Sequence, residues 1–297
     1  MLFEELLTKE NINYMEHIVS PIAPYFICNH YISKEIHQGN SKFIECNINI
    51  KANDLLKNNN FSTIKNGEIV LVTVDMFNYF YDFLLPLIKV NNIKIILITC
   101  QFHLPQLFRS ERTDSCLNDS NILLWVSQNP IYENSKKYMA FPYGMHQISV
   151  NNYMNFIKSN KNIETNKNIK IFNPFASVHG HLPSNHIRRQ IDIFGKNSGS
   201  KLDYNSYLKN ISNSEFVIST AGDREDSYRH YECIGLNAIP ITNINYRSIF
   251  NESMIYSNGD EMLNMVKTNT VNYEYNKPNR DILTIQYWLL KINELKA

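Results

Sequence analysis

Glycine is scarce in this sequence, with only 9 residues among 297. No GxGxxG motif follows a predicted strand, so a conventional dinucleotide-binding domain is not indicated. Gly195 and Lys196 lack the upstream glycine of a phosphate-binding P-loop. The chain also has neither the GxSxG turn of serine hydrolases nor the HExxH motif of metalloproteases, which argues against those two enzyme classes.

Cysteine is sparse and scattered. The five cysteines include no CxxC pair, and an odd number without that spacing predicts neither a disulfide framework nor a zinc site. A reducing compartment fits this pattern best. His179 and His181 are separated by one glycine but have no third metal ligand at a suitable spacing. The sequence therefore predicts no bound metal.

The chain also lacks an excess of either charge and a long apolar run. The 29 Lys and Arg against 28 Asp and Glu leave a formal net charge of +1, which argues against a general electrostatic attraction to nucleic acid or anionic lipid. An anionic ligand would need a few local basic side chains. The mainly apolar runs at 69–74 and 95–98 are too short to span a bilayer, and the N-terminal segment is unlike a signal peptide. We expect a soluble protein.

Short β-branched runs alternate with helical stretches, which is typical of βαβ units and parallel sheets. Residues 68–74 and 94–99 are apolar without alternation, as expected for strands covered by helices on both faces. Between them, residues 77–88 carry apolar side chains at helical spacing. Two weaker strands are predicted at 122–126 and 137–141.

A stretch rich in Asn and Lys, residues 151–170, predicts a helix that runs into an exposed connection. We place a boundary there, between lobes at 1–155 and 156–297. Further strands are predicted at 169–172, 215–219 and 238–242, with helices at 186–194, 204–210, 228–236, 259–267 and 280–295; the apolar residues 254–256 precede the helix at 259–267. The last helix is amphipathic and able to pack back on the first lobe. The predicted fold class is α/β, with two Rossmann-like lobes built on parallel sheets.

The segment from Ser219 to Glu232 carries the main functional pattern. A polar loop there joins a predicted strand to a predicted helix, and ligands of open α/β sheets bind beyond the carboxyl ends of the strands. The N-terminus of a helix attracts phosphate through free backbone N–H groups and the helix dipole, and Asp226 or Ser227 would be its N-cap. Gly222 allows the backbone to approach a ligand closely.

Arg229 and Glu232 lie three residues apart and therefore share one face of that helix. A cation in the first turn is unfavourable for the helix dipole unless an anion is near. Arg229 therefore indicates a diphosphate, and Glu232 can accept hydrogen bonds from both hydroxyls of a ribose. Together they would bind a nucleoside diphosphate. The alternative is an ordinary i,i+3 pair on the protein surface.

A longer pattern around this segment resembles the signature of exostosin-like glycosyltransferases (family 47). In the second half it comprises Tyr207, residues 215–219, Gly222, Ser227-x-Arg229-x-x-Glu232 and residues 238–241. In the first half, residues 75–86, 95–99, 125–129 and 141–144 fall in the order and spacing of the family. The resemblance covers roughly residues 68–256, and the small size is most similar to compact members from large DNA viruses and some bacteria.

This resemblance implies a GT-B arrangement, with an acceptor lobe at 1–155, a donor lobe at 156–297 and the reaction in the cleft between them. It implies an enzyme that moves a sugar from a UDP- or GDP-linked donor to a glycan acceptor, with inversion at the anomeric carbon. The nucleotide sugar would be a co-substrate, and no cofactor or obligatory metal is expected. The partners would be that donor and an oligosaccharide or glycoconjugate acceptor, without nucleic acid. The expected location is the cytoplasm, that of the host if the chain is viral.

Carried over residue by residue, the resemblance implies that Glu232 holds the ribose and Arg229 the diphosphate. Gly222 and Ser227 would shape the phosphate loop. Arg188 or Arg189 would match a basic residue of the family at the start of a donor-lobe helix, although one exposed arginine and one packed stem would explain this pair as well. The remaining candidate donor-binding residues are Ser219, Asp223 and Tyr228.

An inverting displacement needs a base near the acceptor hydroxyl and stabilisation of charge on the departing diphosphate. Asp75 and His103 are the candidate catalytic bases because each follows a predicted strand of the first lobe. Asp75 would serve equally well as the N-cap of the next helix. The loop at 101–105 lacks the acidic residue usual in the family, which leaves the base open. Two other functions fit: a retaining GT-B transferase, and a degenerate module that binds a glycan or protein without transfer.

Overall fold

The computed structural model describes residues 1–37, 50–100, 106–160, 167–174, 186–189, 202–222, 226–244 and 246–296. These residues form an α/β fold with one sheet of six strands and another of four. Every strand pair in both sheets is parallel. The chain divides into two compact units. We call residues 15–148 with 285–297 the six-stranded unit, and residues 1–14 with 149–284 the four-stranded unit.

The six-stranded unit is built from short elements. Its strands are β1 (His30–Ile32), β2 (Asn53–Asp54), β3 (Ile69–Thr73), β4 (Ile95–Cys100), β5 (Ile122–Ser127) and β6 (Tyr138–Ala140). Its α-helices are α2 (Pro24–Ile27), α3 (Lys34–His37), α4 (Leu55–Asn58), α5 (Phe77–Tyr79), α6 (Leu85–Val90), α7 (Glu111–Asn118) and α13 (Ile285–Lys296). A π-helical turn at Phe80–Leu84 joins α5 to α6.

The order of the six strands is β2-β1-β3-β4-β5-β6. From β1 the chain turns to one side to form β2, and it then crosses to the other side of β1 to form β3. The topological switch point, where ligands of open α/β sheets bind, therefore lies between β1 and β3. Asp75 lies at the carboxyl end of β3, in the 3₁₀ turn Val74–Met76, and therefore at this edge of the sheet.

The core of this unit explains why polar and apolar residues do not alternate along its central strands. All six residues of β4 are buried, as a strand covered on both faces requires. Beside it, Trp125 of β5 is fully buried, stacks on Phe77 with ring centroids 5.6 Å apart, and donates a 2.9 Å hydrogen bond from Nε1 to Thr99. The prediction of strands at 68–74, 94–99, 122–126 and 137–141 is confirmed, with no end shifted by more than one residue.

The four-stranded unit holds the remaining elements. Its strands are β7 (Ile169–Phe172), β8 (Ser214–Ile218), β9 (Ile239–Thr242) and β10 (Ile255–Tyr256), in the order β10-β9-β8-β7. Its α-helices are α1 (Phe3–Thr8), α8 (Val150–Ser159), α9 (Tyr204–Ser212), α10 (Tyr228–Gly235), α11 (Arg247–Phe250) and α12 (Gly259–Thr268). Residues 187–189 are also helical, and the rest of the helix predicted at 186–194 lies outside the described residues.

The first residues of the chain belong to this second unit, which the sequence did not indicate. The N–H of Phe3 donates a 3.0 Å hydrogen bond to Oδ1 of Asp281, and the guanidinium carbon of Arg280 lies 4.3 Å from the centroid of the Phe3 ring. Arg280 also forms a 3.0 Å ion pair with Glu4. A buried aromatic ring under a nearly buried guanidinium holds α1 against the turn at 280–283.

Two other expectations differ from the structure. The terminal helix predicted at 280–295 is confirmed from Ile285 onwards as α13, but its predicted start is wrong, because Arg280–Leu283 is a 3₁₀ turn and Thr284 has extended dihedral angles. The turn belongs to the four-stranded unit and α13 to the six-stranded unit. The predicted boundary after residue 155 lies inside α8, whereas the units divide between Ile148 and Ser149. Among the helices described, none is both long and apolar enough to cross a membrane.

Candidate functional site

The candidate site lies at the carboxyl edge of the four-stranded sheet. Asn173 follows β7, and the loop beginning at Ser219 follows β8. That loop leads to Ser227, the N-cap residue of α10, and no capping hydrogen bond is made by the Ser227 side chain. Parallel strands end at one edge of a sheet, so these segments converge there. The predicted donor-binding residue Asp223 lies outside the described residues.

Glu232 is the centre of a buried polar cluster. It lies in the second turn of α10 with 8% of its surface exposed. Its Oε1 accepts a 3.1 Å hydrogen bond from the Tyr204 hydroxyl, and its Oε2 accepts a 2.7 Å hydrogen bond from the Tyr207 hydroxyl. The Tyr153 hydroxyl donates to its main-chain oxygen at 2.7 Å. This burial rules out the ordinary surface pair that was the alternative for Arg229 and Glu232.

The surroundings of Glu232 shift the pKa of its carboxyl in opposite directions. Burial raises the pKa of this carboxyl above its usual value, and the hydrogen bonds from Tyr207 and Tyr204 and the charge of Arg229 offset only part of that rise. A buried carboxyl is costly to ionise because it loses hydration. The hydroxyl donors nevertheless match a carboxylate, which only accepts hydrogen bonds.

Arg229 shares a partner with Glu232. Its Nε donates a 3.2 Å hydrogen bond to the Tyr207 hydroxyl, and its guanidinium carbon lies 5.9 Å from the centroid of the Tyr207 ring. That distance is near the outer limit of a cation–π interaction. One tyrosine of α9 therefore fixes both members of the pair that the sequence singled out on α10.

Arg188 packs against the loop that follows β8. Its Nε donates to the Thr220 hydroxyl at 3.2 Å, and Nη2 donates to the Thr220 carbonyl at 3.5 Å. A Cβ atom at Gly222 would lie 2.9 Å from Nη2 of Arg188, closer than real Cβ contacts come. The structure thus brings two predicted residues together. The backbone N–H of Arg189 donates to the His186 carbonyl at 2.9 Å.

Two buried contacts hold α10 against the loop that precedes it. Ser219 is fully buried, and its Oγ shares a 2.6 Å hydrogen bond with Nδ1 of His230, which is also fully buried. The Tyr231 hydroxyl donates a 2.6 Å hydrogen bond to Oδ2 of Asp226. Ser219, predicted to bind the donor, is therefore engaged within the protein. Tyr228, also predicted, is the first residue of α10 and is half-buried.

Asn173 is a residue of this edge that the sequence interpretation missed. Its Nδ2 is buried and, within the described part of the chain, donates to no acceptor. A buried amide N–H without a partner carries a desolvation cost of about 1–3 kcal/mol, which a bound acceptor would remove. Its position directly after the predicted strand at 169–172 was the available signal.

Tyr153, Tyr204 and Tyr207 were also missed as partners of Glu232. Tyr204 and Tyr207 lie three residues apart on α9 and so share a face. The pairing of α9 with α10, however, joins residues 25 and 28 positions apart. Lys167 supports that pairing because its Nζ donates to the carbonyls of Ser212 and Leu236 at the ends of the two helices.

The candidate bases lie elsewhere. Asp75 is exposed in the six-stranded unit, and the N-cap of α5 is Met76, so Asp75 is not the N-cap residue of that helix. His103 lies outside the described residues, as do His179 and His181. Among the residues that the structure describes, no three His, Cys, Asp or Glu side chains are grouped to hold a metal ion.

Comparison with known proteins adds no relative. No protein-family model and no curated protein matches this chain. The chemistry of the site therefore carries the functional argument. Three groups meet at one edge of the four-stranded sheet. They are the Arg188 guanidinium packed against the loop of Gly222, the buried amide of Asn173 and the first turn of α10, which bears Arg229.

Proposed function

We propose that this protein is a glycosyltransferase of the GT-B type that uses a nucleoside-diphosphate sugar as donor. The observation that carries the proposal is the double role of Tyr207, which hydrogen-bonds both the Arg229 guanidinium and the Glu232 carboxylate. A cation and a carboxylate are thereby held at fixed positions on the helix that follows β8. Such a pair suits a diphosphate and the ribose attached to it.

The diphosphate would be bound at the loop after β8. Arg188 and Arg229 would supply positive charge, and the first turn of α10 would supply backbone N–H groups. Because Gly222 has no Cβ, the Arg188 guanidinium can lie close to the loop backbone. Each carboxylate oxygen has a second acceptor site beyond the one used by a tyrosine. Glu232 would therefore accept ribose hydroxyls without losing Tyr204 or Tyr207.

The reaction would be a single displacement with inversion, and no obligatory metal is proposed for it. The acceptor oxygen bonds to the anomeric carbon while the bond from that carbon to the diphosphate oxygen breaks. The base takes the proton of the acceptor hydroxyl, and the two arginines stabilise the charge of the leaving diphosphate. Asp75, at the switch point of the six-stranded sheet, and His103 are the proposed bases. The acceptor would be a glycan or glycoconjugate.

A thermal-shift panel of UDP- and GDP-linked sugars tests this proposal. At 100 times its dissociation constant, a ligand adds about 2.7 kcal/mol to the free energy of unfolding, which raises the melting temperature by several degrees. We expect one donor class to give this rise in the wild type and a smaller one in Arg229→Ala and Glu232→Gln. Arg247→Ala, which removes an exposed arginine of α11, should respond like the wild type.

If no nucleotide sugar in the panel stabilises the wild type, the enzyme proposal is wrong and a module that binds a glycan or protein without transfer replaces it. If a donor binds, the anomeric configuration of the product, read by NMR, separates inversion from retention. A retained configuration would contradict the single displacement while leaving the donor site intact.

A further inference from the structure

An open groove of about 740 Å³ lies between α8 and the start of α9, within the four-stranded unit. We call it the α8–α9 groove. From α8 it is lined by the outward face that carries Asn152, Asn155 and Phe156, while Tyr153, Met154 and Ile157 form the buried face of the same helix. From α9 it is lined by Asp203, Tyr204 and Asn205. The groove does not include Arg188, Gly222, Arg229 or Glu232.

The polar lining of the groove includes three amides that have no hydrogen-bond partner among the described residues. Asn152, Asn155 and Asn205 are exposed, and within the described residues none of their side chains hydrogen-bonds to another residue. Each amide offers two N–H donors and one acceptor oxygen. A planar amide can therefore bind two neighbouring hydroxyl groups of a ligand at once, donating to one and accepting from the other.

The charge of the groove restricts the ligand further. Among the described residues no Lys or Arg lines it, and Asp203 contributes a carboxylate. Hydrogen bonds from the Ser206 side chain and the Ser206 backbone lower the pKa of Asp203, so this group stays ionised at neutral pH. A phosphate or sulfate ligand would meet negative charge without a compensating cation. The remaining class is a neutral ligand that is rich in hydroxyl groups.

Two aromatic rings complete the lining. Phe156 and Tyr204 are both half-buried and face the groove from opposite helices. Pockets of this kind combine apolar and aromatic walls with a few polar groups that orient the ligand. The C–H face of a sugar ring packs on an aromatic side chain while its hydroxyl groups meet amides. We propose that the α8–α9 groove binds a neutral saccharide, at a site separate from the donor site.

Tyr204 links this groove to the candidate donor site. Its ring lines the groove, and its hydroxyl donates to Oε1 of Glu232. A saccharide against the ring would restrict the side chain that holds one oxygen of the carboxylate. Saccharide binding in the groove does not depend on the proposed transferase activity, and the two are tested by different ligands.

The test titrates the full-length protein with fluorescently labelled neutral trisaccharides of glucose, galactose, mannose and N-acetylglucosamine. At least one should bind in a saturable way, and Asn155→Ala and Phe156→Ala should each weaken that binding about tenfold, which corresponds to about 1.4 kcal/mol. Asn152→Ala provides a second exposed substitution that leaves the packing of α8 intact. Asn264→Ala, an equally exposed asparagine on α12, should bind like the wild type.

Two results would overturn the inference: none of the four trisaccharides binds, or Asn152→Ala and Asn155→Ala bind as tightly as Asn264→Ala. The melting temperature of every variant is measured without ligand, so that unfolding is distinguished from lost binding. The response of Asn155→Ala to nucleotide sugars is measured in parallel and should equal that of the wild type. If no saccharide binds in the groove, the proposal of a donor site is unaffected. If no nucleotide sugar binds, the proposal of a saccharide groove is unaffected.

Discussion

The Tyr207 hydroxyl donates a 2.7 Å hydrogen bond to Oε2 of Glu232 and accepts a 3.2 Å hydrogen bond from Nε of Arg229. A single hydroxyl thus uses its donor on the carboxylate and an acceptor site on the guanidinium. This places the opposite charges of the pair around one neutral group. The Tyr207 hydroxyl therefore joins α9 to two residues of α10.

Removing this hydroxyl should weaken the four-stranded unit. In Tyr207→Phe the buried Glu232 carboxylate loses one of its two hydroxyl donors, and the lost partner should cost about 1–3 kcal/mol. Tyr204→Phe is the matched control, since its hydroxyl makes the longer bond of 3.1 Å to the same carboxylate, whereas Nε of Arg229 donates to Tyr207. Thermal unfolding followed by far-UV circular dichroism measures both. Equal melting temperatures for Tyr207→Phe and the wild type would contradict the bridging role.

The raised pKa of Glu232 predicts a pH dependence of stability. Below its ordinary pKa of 4.5 the carboxyl is protonated in both the folded and the unfolded protein. Above that value the unfolded protein releases the proton first, so folding becomes less favourable as pH rises towards the folded pKa. The Glu232→Gln variant has no ionisable group at this position, so its stability lacks this pH dependence.

The melting temperature of the wild type should therefore fall relative to that of Glu232→Gln between pH 4 and pH 7.5. Comparing the two proteins at each pH cancels the titration of all other groups. A constant difference across this range would show that burial does not raise the pKa of Glu232.

Gly222→Ala tests the contact between the loop after β8 and Arg188. The added Cβ would lie 2.9 Å from Nη2 of Arg188, and the flexible end of that side chain can move away. We therefore expect a small change in melting temperature but weaker stabilisation by a nucleotide sugar. Gly259→Ala is the control because its Cβ also meets the end of a side chain, Cδ1 of Ile187 at 3.1 Å. An unchanged nucleotide-sugar response in Gly222→Ala would remove Arg188 from the donor site.

Gly144→Ala tests the packing after β6. Gly144 has a φ of +85°, and an added Cβ would lie 2.2 Å from the backbone oxygen of Val19. Because backbone cannot move aside cheaply, the loss in the free energy of unfolding should exceed about 1 kcal/mol. Gly67→Ala has a similar φ of +78° but meets only the end of the Lys296 side chain, at 3.1 Å.

Thermal unfolding of both variants can be followed by tryptophan fluorescence. This signal reports on the six-stranded unit, because both tryptophans, Trp125 and Trp288, lie in it. The two variants share the strain of a positive φ, so the difference between them isolates the collision with Val19. If Gly144→Ala unfolds at the same temperature as Gly67→Ala, the close approach of the two segments is not needed for stability.

The sequence predicted the strands whose burial is continuous. β3 and β4 are buried along almost their whole length and are long enough to show an unbroken apolar run. The short strands β1 and β2 were missed because His30, Asn53 and Asp54 are polar and form so few pairs that no pattern emerges. The break at Thr284 was missed because an apolar helical pattern continues across it, whereas tertiary contacts place the residues up to Thr284 and those from Ile285 in different units.

For the candidate site, the sequence singled out Arg229, Glu232 and Gly222. Arg229 and Glu232 could be paired from sequence because residues three apart share a helix face, and Gly222 lies in the loop before that helix. It could not identify Tyr204 and Tyr207 as partners of Glu232, because the contact joins helices separated by β8. Nor could it show that Ser219 is turned towards His230. Local spacing predicts which residues share a helix face, whereas the burial of that face depends on which helix packs against it.

Titration calorimetry with UDP and GDP, without any sugar or acceptor, tests the donor site most directly. The wild type should bind one of the two nucleotides at a single site, and Arg229→Ala should bind it at least about tenfold more weakly, since the variant loses a charged partner of the diphosphate. Arg247→Ala should match the wild type. The absence of binding for both nucleotides, or equal affinity in Arg229→Ala and the wild type, would contradict the account.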